Sequence, residues 1–116
     1  MADARQVGAA RTFYRIVKTN PPTLADFTSN LALGRVPKHP DPRVMSLWNG
    51  LSVFDQKAQA RQKAQEAPYL GRYIAELRIL EGDPLRYQRT LRTPSHYTIW
   101  GSPDVLLSHV VAVGPV

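Results

Sequence analysis

Four β-rich stretches in the second half of this chain are separated by gaps too short for a crossover. "GRYIAELRIL" (71–80) runs through "EGDP" into "LRYQRTLR" (85–92), then through "TPS" into "HYTIWG" (96–101), and "SHVVAV" (108–113) follows one short helical word. Parallel neighbours need a connection of a dozen or more residues, usually a helix. Most of these stretches have none between them, so the expected class is α+β. The sheet should be mixed or mainly antiparallel, with two to three short helices, and not doubly wound.

The first half fits the same class. "RTFYRIVK" (11–18) alternates Phe13, Arg15 and Val17 against Tyr14 and Ile16, the period of a strand. "TNPPT" breaks it, because proline cannot donate to a ladder. Thr23 is a suitable N-cap for a short helix, "LADFTSNLAL", with Leu24, Phe27 and Leu31 on one stripe and Gly34 as its stop. "RVPKHPDPR" (35–43) carries three prolines and reads as an extended, stiffened loop. "VMSLWNGLSVF" (44–54) then resumes the strand pattern, with a kink or bulge expected at Asn49-Gly50. Asp55 is placed to cap the helix "QKAQARQKAQEA", whose small face is Ala58, Ala60, Ala64 and Ala67 and which Pro68 ends. "SPDVLL" opens a short helix with Ser102 as cap, Pro103 at the first position and Asp104 in the first turn.

At 116 residues the chain suits one domain, expected over 11–116 behind a flexible segment at 1–10. No apolar run approaches the roughly 20 residues of a membrane span, and the first residues lack the apolar core of an export signal. With no cysteine, thiol chemistry and disulfides are excluded. A cytoplasmic setting away from membranes is the expectation. The net charge is +6, and eleven of the fifteen basic residues are arginine. Arginine offers a flat fork to phosphate and carboxylate, so the excess points either to an anionic partner or to an arginine-rich proteome from a high-GC genome, and the cations are scattered and not gathered in a run.

Phosphate loops, dinucleotide glycine fingerprints, HExxH and zinc spacings are all missing from the sequence, and His39, His96 and His109 are far apart, so no metal is expected. Gly50-Leu51-Ser52 leads into Val53-Phe54 and not into the glycine of a serine-hydrolase elbow. Four positions remain as candidates. Arg15 sits mid-strand and either faces solvent or aims into a cleft that holds an anion. Ser52 follows the Asn49-Gly50 kink, where it either satisfies nearby backbone or faces that cleft. His96 lies beside Tyr97 and near Trp100, where it could hydrogen-bond a polar ligand between aromatic walls. Glu76 is the carboxylate candidate on the clearest strand, or else a solvent-facing partner of Arg78 or Arg89.

In this order, "FYRIV", then "WNGLSVF" leading into a helix, then "HYT", the chain resembles the compact ADP-ribosyltransferase-like group, which includes the RES-domain toxins and the RNA 2′-phosphotransferases. The resemblance implies an NAD-handling toxin or modifying enzyme with a macromolecular acceptor. By that resemblance Arg15 would hold the NAD pyrophosphate, Ser52 and Tyr14 would line the nicotinamide pocket, Trp48 or Tyr97 would stack on a planar ring, and Glu76 and His96 would complete the catalytic set. The group's usual late glutamate has no counterpart, since none of the last 35 residues is glutamate. The alternative is a basic, non-catalytic domain that binds nucleic acid or a protein partner such as an antitoxin, supported by the charge and the aromatics.

Overall fold

The computed structural model describes residues 10–90 and 94–116. The segment expected to be flexible, 1–10, lies outside them except for Ala10, as does the end of "LRYQRTLR" with Thr93. Six strands form one sheet: β1 (Ala10–Val17), β2 (Leu51–Phe54), β3 (Tyr73–Leu80), β4 (Arg86–Arg89), β5 (His96–Trp100) and β6 (Val110–Pro115). Their order is β4-β5-β2-β1-β3-β6, and every pairing is antiparallel. Three helices accompany them: α1 (Pro42–Trp48), α2 (Lys57–Glu66) and α3 (Pro103–Ser108). Two 3-10 turns, Leu24–Phe27 and Pro68–Leu70, complete the set. The architecture is the expected small α+β fold. No helix among the described residues is long and apolar enough to cross a membrane.

The sheet has a concave and a convex face. Phe13 on β1 meets Tyr87 on β4 with ring centroids 4.9 Å apart, although β2 and β5 lie between those strands. In a flat sheet three strand spacings would separate them by about 14 Å. The sheet therefore curls around this face. Residues 81–85 also demand it, because five residues carry the chain from β3 to β4, which lie four places apart in the sheet. The turn at "EGDP" thus closes a curl and does not make a hairpin.

Side-chain alternation divides the residues between the two faces. The concave face buries Phe13, Val17, Val53, Leu77, Ile79 and Ile99, covered by Phe27 from the first 3-10 turn and Leu106 from α3. The convex face carries Tyr14, Ile16, Phe54 and Ile74, with α2 laid across them through Ala60. Ala60 and Ala64 are fully or nearly fully buried, and Ala67 is buried as well, so the small face of this helix does let it approach the sheet closely. Ala58 is exposed and does not belong to that face.

Two expected elements differ. "VMSLW" is helix, not strand. Asp41 caps it, its carboxylate accepting from Val44 N–H at 2.9 Å, and Pro42 occupies the first turn where a missing donor does no harm. The same proline that suggested a loop is the start of α1, and Val44, Met45, Leu47 and Trp48 follow helical spacing with their half-buried sides together. Asn49-Gly50 is consequently the exit of α1 into β2, with Asn49 as C-cap, and not a strand kink. The helix expected over Leu24–Leu33 is only one 3-10 turn, because Thr28 returns to extended backbone; Thr23 does cap it, its own N–H donating to Asp26 at 2.9 Å. Asp55 does not cap α2, whose N-cap is Gln56.

Gly50 has a steric role. A Cβ there would run into the Thr98 methyl and the Trp100 indole, and Trp100 Nε1 donates to Ser46 O at 2.9 Å, tying α1 to β5. Gly50→Ala should lower stability by about 1–3 kcal/mol by forcing these groups apart. Urea unfolding followed by tryptophan fluorescence measures it, and an unchanged midpoint would contradict the close packing.

Candidate functional site

The sequence candidates split between the two faces. Tyr14 pairs with Phe54 and with Glu76, Ser52 pairs with Thr98, and Phe54 pairs with His96. Directly paired residues share a face, so Tyr14, Ser52, Glu76 and His96 belong to the convex side. Arg15 and Tyr97 belong to the concave side, with Phe13 and Val53. Trp48 ends α1 and lies on no strand; its carbonyl accepts from Leu31 N–H at 3.3 Å.

Arg15 and Ser52 do not meet as side chains. The Arg15 guanidinium donates to two backbone carbonyls, Asp26 O at 2.7 Å through Nε and Ser52 O at 2.8 Å through Nη1. The Ser52 hydroxyl points through the opposite face. Arg15 is half-buried and crowded by protein, and the resulting loss of hydration lowers its pKa to about 10, with Asp26 opposing the shift. It remains a cation at neutral pH and stitches the Leu24–Phe27 turn onto β2. A shared cleft for this guanidinium and the Ser52 hydroxyl, which the enzymatic expectation required, does not exist in the fold.

His96 is buried. Its Nδ1 lies 3.0 Å from Thr90 Oγ1 and 3.3 Å from Thr90 O, Thr90 Oγ1 is 2.7 Å from Thr98 Oγ1, and the ring meets Phe54 edge-on. Burial, with Lys63 nearby, pushes its pKa below the ordinary value despite the Thr90 carbonyl. Glu76 and Tyr14 border a shallow groove of about 100 Å³ with Lys57, Ile74 and Ala112–Gly114. None of these convex residues is joined to Arg15.

A different cluster forms on the concave side. Arg11 Nη2 and Arg89 Nη2 both donate to the Tyr97 hydroxyl, at 3.0 and 3.2 Å. The Arg11 guanidinium lies over Phe13, Tyr87 and Tyr97, 5.5, 5.5 and 5.3 Å from their centroids, and Arg89 lies 5.6 Å from Tyr97. Both arginines are exposed. The paired guanidiniums lower the Tyr97 pKa, Arg11 first and Arg89 second, and the same hydrogen bond raises that of Arg11. Neither arginine has a carboxylate within ion-pair distance among the described residues. Next to Arg11 opens a cleft of about 310 Å³, the larger of the two cavities described here, lined by Ala10, Ile79, Leu80, Leu85, Tyr87 and the turn Glu81–Asp83.

Chemically, two exposed cations sharing one neutral acceptor suit an anion, which would relieve their mutual repulsion and accept from their remaining donors. The sequence reading placed Tyr97 in the candidate site but neither arginine, with Arg89 considered only as a solvent-side partner of Glu76. Arg11 and Arg89 sit 78 positions apart, and only the curl of the sheet brings them together. Comparison with protein-family models, with curated proteins and with solved structures finds no match.

Arg15→Ala should lower stability by about 2 kcal/mol, because it strands two partly buried carbonyls. The denaturant midpoint reads this, and a null effect would mean the stitch is idle. For His96 the folded pKa lies below the unfolded 6.5. Between those two values the unfolded chain binds more protons, so stability falls as pH drops below about 6.5. His96→Gln should flatten that part of the stability-against-pH curve relative to the wild type; parallel curves would show that His96 titrates freely.

Proposed function

We propose that this protein is a non-catalytic basic domain that binds single-stranded nucleic acid, with the Arg11–Tyr97–Arg89 cluster as its phosphate contact. The observation that carries this reading is the convergence of two exposed guanidiniums on one tyrosine hydroxyl, neither of them in an ion pair among the described residues. The overall charge of +6 adds a long-range attraction for a polyanion. Tyr87, which lines the neighbouring cleft, offers a ring to an unpaired base, and Arg86, stacked 4.7 Å from the Trp100 ring on the other face, extends the cationic margin along the edge strand β4.

The NAD-dependent transferase reading loses precedence on geometry. It called for Arg15 on a pyrophosphate beside the Ser52 hydroxyl, and Arg15 is engaged with backbone carbonyls while Ser52 faces the other way. Glu76 borders its own small groove with Lys57. A transferase also needs a group to stabilise the charge that develops as nicotinamide departs, and the carboxylate beside Arg15 among the described residues, Asp26, is occupied by Lys18 N–H, Thr19 Oγ1 and Thr23 N–H.

Fluorescence anisotropy with a labelled single strand tests the proposal. Affinity should fall steeply with salt, and Arg11→Ala or Arg89→Ala should each weaken binding by about tenfold and reduce the salt slope by about 0.7. Binding that ignores both arginines would overturn the assignment. Protection against heat by NAD, with no oligonucleotide bound, would return the enzymatic reading.

A further inference from the structure

The cleft beside the arginine pair carries more information than an anion site requires. Its lining brings together the cation Arg11, the carboxylates of Glu81 and Asp83 in the turn that follows β3, and the apolar Ile79, Leu80, Leu85 and Tyr87 ring. Asp83 Oδ2 is engaged, accepting from Leu80 N–H at 2.6 Å and facing His109 Nε2 at 3.0 Å, and these contacts hold the turn in place. Glu81 is exposed and takes part in no hydrogen bond or ion pair recorded among the described residues. A polyanion alone gains nothing from these carboxylates. A ligand that combines an anionic group, a hydrogen-bond donor and a flat apolar body satisfies the whole lining.

We infer that this cleft seats one unpaired base bearing an exocyclic amino group, while the attached phosphate lies on Arg11 and Arg89; the inference rests on the nucleic-acid reading above. The cavity, about 310 Å³, is of the size that holds small ligands. The base amino group donates to Glu81 or the free oxygen of Asp83, the pairing by which carboxylates recognise the cytosine amine. Thymine and uracil present two carbonyls around their single N–H, and those oxygens would face the carboxylates with like partial charge. Cytosine, adenine and guanine are therefore accepted, and thymine and uracil are disfavoured. Double-stranded nucleic acid is excluded from the cleft because a base that stays paired and stacked in a duplex cannot enter it.

Oligo(dC) and oligo(dT) of about ten nucleotides suit this kind of surface, and being both pyrimidines they differ little in self-stacking. Titrated into the full-length protein, oligo(dC) should bind about fivefold or more tighter than oligo(dT), the smaller end of the discrimination one base contact supplies. Glu81→Gln should bring the two affinities together by weakening oligo(dC) alone. Asp83→Asn, which keeps an acceptor for Leu80 N–H, should do the same if Asp83 is the recipient of the amine. Arg11→Ala should weaken both strands alike. Equal binding of the two strands with the Arg11 dependence intact would overturn base selection and leave the phosphate contact standing. Failure of both strands to bind would remove the nucleic-acid reading beneath it.

Discussion

The Arg15 guanidinium, donating to Asp26 O and Ser52 O, joins three parts of the fold that share no sequence neighbourhood. It stands between Phe13 and Val17 on the concave face of β1, where a charged group would ordinarily be expensive. The expense is limited because both acceptors are backbone carbonyls that would otherwise be partly stranded, and because the rim of the side chain still touches water. Asp26 completes the arrangement from the other direction. Its carboxylate gathers Lys18 N–H, Thr19 Oγ1 and Thr23 N–H, so the loop leaving β1 is folded back onto β1 itself. With that loop in place Phe27 covers the concave core opposite Leu106, and the sheet has a lid without a long helix.

Curvature is the second consequence of this packing. The concave face is lined by aromatic rings from β1, β4 and β5, Phe13, Tyr87 and Tyr97, which contact one another in tilted and edge-on pairs 4.9–6.3 Å apart. Such ring clusters favour approach from several directions over a flat stack. They draw β4 towards β1 across two intervening strands. Arg11 then closes the rim, covering three ring faces with one guanidinium. What looks from the sequence like a solvent-facing arginine at the start of a strand thus becomes half of a charged pair at the mouth of a cleft.

The strands were legible because period-two alternation and β-branched or aromatic content are local properties. β1, β3 and β5 fall within a residue or two of where "RTFYRIVK", "GRYIAELRIL" and "HYTIWG" suggested. The antiparallel character was legible too, from short connections. α1 was not, because Asp41-Pro42 serves equally well as a loop word and as a helix start, and only the Asp41 bond to Val44 N–H distinguishes the two. The site was the least legible part. Arg15 and Ser52 are indeed neighbours in space, as "FYRIV" and "LSVF" suggested, but strand parity sends their side chains to opposite faces, and parity depends on a register that Tyr14 and Phe54 set only in the folded sheet. Arg11 and Arg89 meet through curvature, which no short window of sequence encodes.

The two faces also differ in what their polar groups are free to do. On the convex side His96, Thr90 and Thr98 bond one another against the Phe54 ring, a closed network in which burial disfavours the charged form of the histidine. Such a network fixes β5 against the segment after β4 and leaves little donor capacity for a ligand. On the concave rim the balance is reversed. Arg11 and Arg89 each carry five N–H donors, and each spends one recorded bond on the same phenolic oxygen. Unused directed donors on an aromatic-backed surface are pre-organised for an oxyanion such as phosphate, since the rings that hold the guanidiniums have already removed much of their freedom before any ligand arrives. On the proposed reading recognition falls on the curled face, where the chain invests its aromatics, and the convex histidine serves stability.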